Sequence, residues 1–321
     1  MLYGIAFIVV FVLAVSLMPV FAKLVTRIDF TDKPTERKKH SNPIPLSGGA
    51  VMFLAMSVGF LFVVIFTDID DPALFAVLAG AALIVGIGLV DDYFKTRGKE
   101  FPVWPRIIVQ LGAAVLAFAF GVRFTGFSNP FTDYYVYLPI WLQFILTVLW
   151  FVGLVTAFNF MDGLDGLSGL LAMVSGATFF VVALYMNQPE SAFMAVILVA
   201  AVTGFLRFNL PPAKVYMGDS GAYLLGYMLA AISLHGAFKQ ATVISLAIPM
   251  LAMGVPIFDA ILVVVRRLLA RKPAHIADSS DITHIHYRLT KSGMKPSHAV
   301  MVIFLLSTCL NLVSIIVMLL I

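Results

Sequence analysis

The sequence predicts an all-α integral membrane protein with about ten transmembrane helices, organised as one domain over residues 1–321. Three observations lead to this fold class: the composition, the recurrence of long apolar stretches and the distribution of basic residues. Hydrophobic residues make up 61% of the chain, charged residues only 12%, and the mean hydropathy is +1.01. Soluble domains are about 45–50% apolar and about 25% charged. Most of the outer surface is therefore expected to face lipid.

Apolar stretches that can cross roughly 30 Å of hydrocarbon recur along the whole chain. Glycine and proline interrupt them without the strict alternation of a membrane barrel, which favours helices. The first stretch is followed by Lys23 and Arg27 rather than preceded by basic residues, so we expect a retained helix and not a signal peptide. The predicted spans are residues 2–22, 46–66, 73–90, 106–121, 139–158, 168–186, 192–207, 220–236, 243–265 and 297–320.

The basic residues give the orientation. With the N-terminus outside and ten alternating spans, all of the 21 lysines and arginines except Arg123 and Lys239 fall in inner loops. Basic residues concentrate in cytoplasmic loops, and one miscounted helix would have destroyed this bias. The sequence therefore predicts a multi-pass membrane protein whose inner loops face the cytoplasm.

Polar chemistry concentrates on the same inner face, in residues 23–45, 91–105, 159–167, 207–219 and 266–296. A transporter or flippase for an anionic lipid would instead carry ionisable groups along a path through several spans. Only Asp259 lies clearly within a span; a structural role is the favoured interpretation, and Arg266 or Arg267, one or two turns away, could be its partner. An active site formed by cytoplasmic loops is the favoured interpretation, with the transporter as the alternative from another class.

Two acidic segments indicate phosphate and metal chemistry. Asp91 and Asp92 end the third predicted span, where the helix dipole disfavours carboxylates, so we expect them to meet a cation or an acidic proton. Asn159, Asp162 and Asp165 recur every three residues, which would place them near one face of a helical turn. Their oxygen atoms suit Mg²⁺. The alternatives are a solvated helix end and plain turns between helices.

Further candidates lie at helix starts and in loops. Asp219 opens the eighth span, where backbone amides can also meet phosphate, although an acidic helix cap is common. Lys99 and Arg106 flank the start of the fourth span and can reach a phosphate. Lys38 and His40 belong to a basic loop that is either an anion site or an anchor for lipid headgroups.

The last inner loop carries Asp281, His284, His286 and Arg288. Two histidines spaced two apart form a poor metal pair on a helix, and Cys309 is the only cysteine, so zinc is not expected. We expect this loop to bind diphosphate or uridine.

In their order and spacing, these segments resemble the polyprenyl-phosphate N-acetylhexosamine-1-phosphate transferases of glycosyltransferase family 4. The resemblance extends from Asp32-Lys-Pro-x-x-Arg-Lys-x-His40 to His284-x-His286 and includes Asn159-x-x-Asp-Gly-x-Asp-Gly-Leu and Met-Gly-Asp219-Ser-Gly. The WecA/TagO-like branch, which starts teichoic acid or O-antigen precursors, is the most similar. The branch that transfers phospho-MurNAc-pentapeptide has a triple histidine in the last loop, which this chain lacks, and it is the alternative.

The resemblance implies transfer of N-acetylglucosamine 1-phosphate from UDP-GlcNAc to undecaprenyl phosphate, giving polyprenyl-diphospho-GlcNAc and UMP. It implies Mg²⁺, or Mn²⁺, held by Asn159 and Asp219, and lipid phosphate oriented or deprotonated by Asp91 and Asp92. The implied catalytic set also includes Asp162 and Asp165. Phosphate and nucleotide-sugar contacts would come from Lys38, His40, Lys99, Arg106, Asp281, His284, His286 and Arg288.

The resemblance also implies the partners, which are a UDP-N-acetylhexosamine, a polyprenyl phosphate and membrane lipid, and a location in a bacterial cytoplasmic membrane. No nucleic-acid partner is expected, and a homodimer is left open. Lys95 departs from the Asp-Asp-x-x-Asp pattern of the GlcNAc branch, and Tyr287 replaces a histidine. A CDP-alcohol transferase, a further alternative, would need a denser Asp-rich motif than this chain contains.

Overall fold

The computed structural model describes residues 1–33, 43–128, 134–236, 246–269 and 284–320, without the side chains of residues 267 and 268. Three of the predicted site residues, Lys38, His40 and Asp281, lie outside these ranges.

The described residues form twelve helices and four short strands. The helices are α1 (Leu2–Arg27), α2 (Gly48–Phe66), α3 (Pro72–Thr96), α4 (Val103–Ala119), α5 (Ile140–Met161), α6 (Leu167–Tyr185), α7 (Pro189–Asn209), α8 (Gly218–His235), α9 (Ala247–Ala252), α10 (Gly254–Leu269), α11 (Ile285–Lys291) and α12 (Pro296–Leu319). The strands are β1 (Thr31–Asp32), β2 (Ile44–Pro45), β3 (Gly126–Ser128) and β4 (Tyr135–Tyr137).

The helices agree with an all-α integral membrane protein. Within the described ranges, seven helices are long and apolar enough to cross a membrane: α1, α2, α3, α5, α6, α7 and α12. The other three predicted spans fall on α4, which has 17 residues, on α8, which opens with polar residues, and on the pair α9 and α10, which Met253 separates. The count of ten crossings and their orientation remain predictions.

Helix α8 lies at the centre of the bundle, where every residue from Ser220 to His235 is buried. It packs against α2, α3 and α5, while α7 packs against α1, α2 and α6. Glycines allow close approach of the backbones: a Cβ on Gly226 would overlap Val155 of α5, at 2.6 Å from its Cα. Small residues at such crossings are typical of helices packed in membranes.

The helices that carry the candidate residues are longer than the sequence predicts. Helix α3 continues to Thr96, so Asp91 and Asp92 lie inside it and do not end it. Helix α5 ends at Met161, which leaves Asn159 in its last turn and Asp165 beyond its end. The expectation that Asn159, Asp162 and Asp165 share one helical face is therefore wrong, because the chain turns at Asp162.

The described parts of the five polar segments meet at one end of the bundle. The antiparallel pair β1–β2 (Thr31 with Pro45, Asp32 with Ile44) brings the chain to Leu46, which forms a parallel bridge with Tyr216 just before α8. Trp150 of α5 donates to Ser233 of α8 at 2.9 Å, and Val155 lies against Gly226, so α5 runs antiparallel to α8 and ends where α8 begins. The contacts of Asp92 and His286 described below bring the second and fifth segments to this end.

At the opposite end of the bundle, a buried histidine contacts the starts of two neighbouring helices. The ring of His235, at the end of α8, lies 2.8 Å from the Asp71 carboxylate and 2.9 Å from the Ser191 hydroxyl. These residues precede or begin α3 and α7, so the contacts join three helix termini. Near this end, β3 and β4 form an antiparallel hairpin between α4 and α5.

Candidate active site

Charged residues of three helices meet where α3 ends and α8 begins. Arg106 of α4 donates to Asp91 Oδ2 at 3.0 Å. Lys95 forms an ion pair with Asp219 and lies 3.8 Å from Asp91 Oδ2. The Tyr223 hydroxyl lies between the two carboxylates, 3.2 Å from Asp91 Oδ2 and 3.3 Å from Asp219 Oδ2. We call this group the acidic cluster; its members are Asp91, Asp92, Lys95, Arg106, Asp219 and Tyr223.

Asp92 has a different set of contacts from its neighbour Asp91. Its two carboxylate oxygens accept the backbone amides of Asp219 at 2.8 Å and Ser220 at 3.2 Å. These amides belong to the first turn of α8, where no intrahelical carbonyl is available to them. Asp92 therefore caps α8 from another helix and fixes Asp219 relative to α3.

Two glycines make this contact possible. A Cβ on Gly88 would overlap the backbone of Ser220, and one on Gly218 would overlap the Asp92 carboxylate. Gly218 also has a φ of +69°, in the left-handed region that glycine adopts without strain. The Met-Gly-Asp-Ser-Gly sequence therefore allows α3 to come within hydrogen-bonding distance of the start of α8.

The acidic cluster combines three carboxylates with two cations, which leaves one formal negative charge. Asp91 Oδ1 and Arg106 Nε are buried and have no hydrogen-bond partner within the described ranges. A buried polar atom without a partner is costly. The cluster therefore contains both an acceptor and a donor that a ligand would satisfy.

The segment that follows α5 is held by the loop before α8. The Ser168 hydroxyl donates to Asp162 Oδ1 at 2.7 Å, and its oxygen lies 3.6 Å from the sulfur of Met217. Asp165 Oδ2 accepts the amide of Ala213 at 3.0 Å. Asp162 and Asp165 are thus held near the start of α8, on the loop that leads to Asp219.

Tyr216 lies between this segment and the first loop. Burial raises the pKa of its phenol, and the negative charges of Asp165 and Asp32 raise it further. The phenol therefore stays protonated and hydrogen-bonds the Asp165 side chain.

A second group, the histidine cluster, consists of Asp259, His284 and His286. Asp259 Oδ2 lies 2.6 Å from His284 Nδ1, and its Oδ1 accepts the amide of Ile285 at 2.8 Å. The described contacts of the Asp259 carboxylate go to His284 and Ile285 and not to Arg266, while the side chain of Arg267 lies outside the described part of the structure. An acid buried at this depth is thus satisfied by the start of α11.

His286 lies directly against the Asp-Gly segment. A Cβ on Gly163 would overlap His286 Nε2, so only glycine allows the ring to lie there. The rings of His284 and His286 are nearly parallel, with centroids 5.7 Å apart. Burial lowers the pKa of His286 to about 4, and the neighbouring His284 contributes in the same direction. His286 is therefore neutral at physiological pH.

The structure does not bring every predicted residue into these clusters. Lys99 and Arg288 are exposed. Asn159 is half-buried in α5, and no side-chain hydrogen bond joins it to another described residue. Sequence reasoning missed Tyr223 and the contacts of Lys95. Both had a simple signal, because each lies one helical turn after an aspartate, at Asp219 plus four and Asp91 plus four.

No three His, Cys, Asp or Glu side chains in the described part of the chain are arranged to hold one metal ion. Mg²⁺ is usually bound by one or two carboxylates, with waters and substrate phosphates completing its shell. Asp91 and Asp219, both beside Lys95, provide two such carboxylates. The donor chemistry therefore fits Mg²⁺ without a third protein ligand.

Comparison with known proteins gives consistent results. The sequence pattern of a family described as Glycosyl transferase family 4 matches residues 74–237. The chain is 34% identical to a probable undecaprenyl-phosphate N-acetylglucosaminyl 1-phosphate transferase of Bacillus subtilis, over 94% of this chain and 81% of that protein. It is 32% identical to a decaprenyl-phosphate N-acetylglucosaminephosphotransferase of Mycobacterium tuberculosis, over 88% of this chain and 74% of that protein.

A phospho-N-acetylmuramoyl-pentapeptide-transferase of Listeria monocytogenes is 30% identical, over 71% of this chain and 73% of that protein. The family match contains the whole acidic cluster and ends before the histidine cluster.

Proposed function

The chain belongs to glycosyl transferase family 4, and from this membership we propose that it transfers N-acetylglucosamine 1-phosphate from UDP-GlcNAc to undecaprenyl phosphate. The products are undecaprenyl-diphospho-GlcNAc and UMP. The observation that carries the proposal is the 34% identity, over 94% of the chain, to the Bacillus subtilis protein whose name gives this activity.

The choice of donor rests on how much of the chain each kind of relative matches. The two N-acetylglucosamine phosphotransferases align with 94% and 88% of the chain, whereas the phospho-N-acetylmuramoyl-pentapeptide-transferase aligns with 71%. The His284-Ile-His286 sequence, without a triple histidine, favours the same choice. Phospho-MurNAc-pentapeptide transfer is the second candidate.

The reaction needs charge compensation more than covalent chemistry by the protein. An oxygen of the lipid phosphate forms a bond to the β-phosphorus of the donor, and the bond from that phosphorus to the bridging oxygen breaks, releasing UMP. Both reactants are anionic, so they must be held in line and their charges offset. Lys95 and Arg106 are the cations of the acidic cluster, and Asp91 and Asp219 hold them in place before phosphate binds.

We propose that Mg²⁺ is the cofactor, with Mn²⁺ as a substitute. The formal negative charge of the acidic cluster and the unpartnered Asp91 Oδ1 support this assignment. Asp219 and Asp91 would hold the ion, and Asn159 is the further ligand that the sequence pattern suggests. When bound, the ion would neutralise charge on the diphosphate of the donor.

We also propose that this end of the bundle faces the cytoplasm, where UDP-sugars are made. The basic residues of the inner loops support this orientation. The active site would then lie at the membrane surface, which a lipid phosphate reaches from the bilayer and a nucleotide sugar from water.

The test is turnover by the purified protein in detergent with undecaprenyl phosphate and one of three donors: UDP-GlcNAc, UDP-GalNAc or UDP-MurNAc-pentapeptide. We expect UMP release and a lipid-linked product with UDP-GlcNAc. The Asp219→Asn variant is the background control. Turnover with UDP-MurNAc-pentapeptide alone would overturn the donor assignment but keep the family, and no turnover with any donor would overturn the activity.

A further inference from the structure

Asp259 is an acid of α10 whose two carboxylate oxygens both contact the loop that carries the histidines. One oxygen lies 2.6 Å from His284 Nδ1, and the other accepts the backbone amide of Ile285 at 2.8 Å. Asp259 and His284 are both buried. A buried carboxylate in a membrane protein is usually paired or functional. This pairing also affects Nε2, the ring nitrogen of His284 that faces away from Asp259.

The carboxylate determines which nitrogen of His284 is available. An ionised carboxylate only accepts hydrogen bonds, so the nitrogen that faces it must carry a proton. Nδ1 therefore holds the proton, and Nε2 is the atom left for other chemistry. Nε2 is buried and has no hydrogen-bond partner among the described residues. With the proton on Nδ1, the lone pair of Nε2 can accept a hydrogen bond from a hydroxyl or N–H group of a ligand.

Asp259 also fixes the backbone on which the histidines lie. His284 is the N-cap of α11, and the amide that Asp259 accepts is the first of that helix. Because α11 carries His286 against Gly163, the same carboxylate sets the position of this ring beside the Asp-Gly segment. One acid thus holds both histidines against the segment that contains Asp162 and Asp165.

We propose that Asp259 is a positioning residue for phosphoryl transfer, which holds His284 so that Nε2 accepts a hydrogen bond from a hydroxyl or N–H group of the nucleotide sugar. The inference rests on the proposed function. Asp259 from α10 and His286 from α11 are the titratable groups that contact the His284 ring within the described ranges, and α5 contributes the uncharged ring of Phe160.

The sharpest variant is Asp259→Asn. Its amide oxygen can still accept from Ile285, so the cap of α11 is kept, but its amide nitrogen is a donor and would force the Nδ1 proton of His284 onto Nε2. We expect kcat/KM to fall by about 10- to 100-fold, because Nε2 would then carry a proton and could no longer accept a hydrogen bond from the nucleotide sugar.

The matched control is Asp71→Asn, which changes the other acid–histidine pair, with His235, at the opposite end of the bundle. We expect its turnover to stay within about twofold of the parent, because Asp71 lies far from either cluster. Asp259→Glu, which restores a carboxylate, should recover part of the activity. Melting temperatures in detergent show whether each variant is folded.

A double-mutant cycle separates positioning from a general effect on folding. If Asp259 acts through His284, then Asp259→Asn combined with His284→Gln should be no slower than His284→Gln alone. Additive losses, or Asp259→Asn with the kcat/KM of the parent, would overturn the inference. Absence of turnover in the parent with every donor would instead count against the proposed function.

Discussion

Asp92 accepts the backbone amide of Asp219 at 2.8 Å, across a sequence separation of 127 residues. Its second oxygen accepts the amide of Ser220. Two adjacent acids of α3 thus have different contacts: Asp91 meets cations, and Asp92 holds the helix that presents Asp219. The same contact therefore stabilises α8 and positions Asp219 in the acidic cluster.

The first prediction concerns this cap. Asp92→Ala should lower the unfolding free energy by about 0.5–2 kcal/mol, the usual cost of a lost helix cap, and should also reduce turnover because Asp219 shifts. The control is Asp71→Ala. It removes the carboxylate that accepts the backbone amide of Ala73 and so caps the other end of α3. It should lose stability and keep its activity per folded molecule. Equal activity losses in the two variants would contradict a local role for Asp92.

The second prediction concerns the metal. Activity should disappear in excess EDTA and return when Mg²⁺ or Mn²⁺ is added, because the acidic cluster has a formal negative charge and hard oxygen ligands. Asp219→Asn should lower kcat by at least about 100-fold and shift the melting temperature little, since its side chain meets Lys95 and Tyr223 but does not cap α8. Full turnover in EDTA would remove Mg²⁺ from the mechanism.

The third prediction concerns the contact between Gly163 and His286. Gly163→Ala places a methyl group where the imidazole lies, so His286 and α11 must move away from the Asp-Gly segment. We expect turnover to fall at least about tenfold, because displacements near 1 Å are costly in transfer reactions. Gly153→Ala on α5, where a Cβ has nothing within 4 Å, is the matched control and should be neutral. A similar loss of turnover in both variants would indicate a general effect of the added methyl group and not the displacement of His286.

These contacts show what the sequence could and could not predict. The sequence placed Asp219 at the start of a helix correctly, because glycine, acid and hydroxyl residues precede an apolar run. It could not separate the roles of Asp91 and Asp92, since adjacent residues of a helix point about 100° apart and their partners come from other helices. The pairing of Asp259 with His284 was missed for a similar reason: it depends on how the start of α11 packs against α10.

The fourth prediction follows from the buried, neutral His286. Burial lowers its pKa to about 4, below the unfolded value of 6.5, so the unfolded chain binds the proton first. Stability should therefore fall as pH drops below about 6.5 and level off below about 4, by on the order of 3 kcal/mol at most. Thermal unfolding in detergent between pH 4 and 8 measures this. His286→Gln should have a flatter profile, and identical profiles would contradict the assignment.

The fifth prediction concerns orientation and needs no substrate. Cys309 is the only cysteine, so Cys309→Ser gives a background without thiols. In that background, Ser292→Cys lies in the exposed turn between α11 and α12, and Asp70→Cys lies in the exposed loop before α3. A thiol reagent that does not cross membranes should label Asp70→Cys in intact cells and Ser292→Cys only in inside-out vesicles, because the basic loops are predicted to be cytoplasmic. Labelling of the Ser292→Cys variant in intact cells would contradict the predicted orientation. The acidic cluster would then face away from the cytoplasm, where UDP-sugars are made.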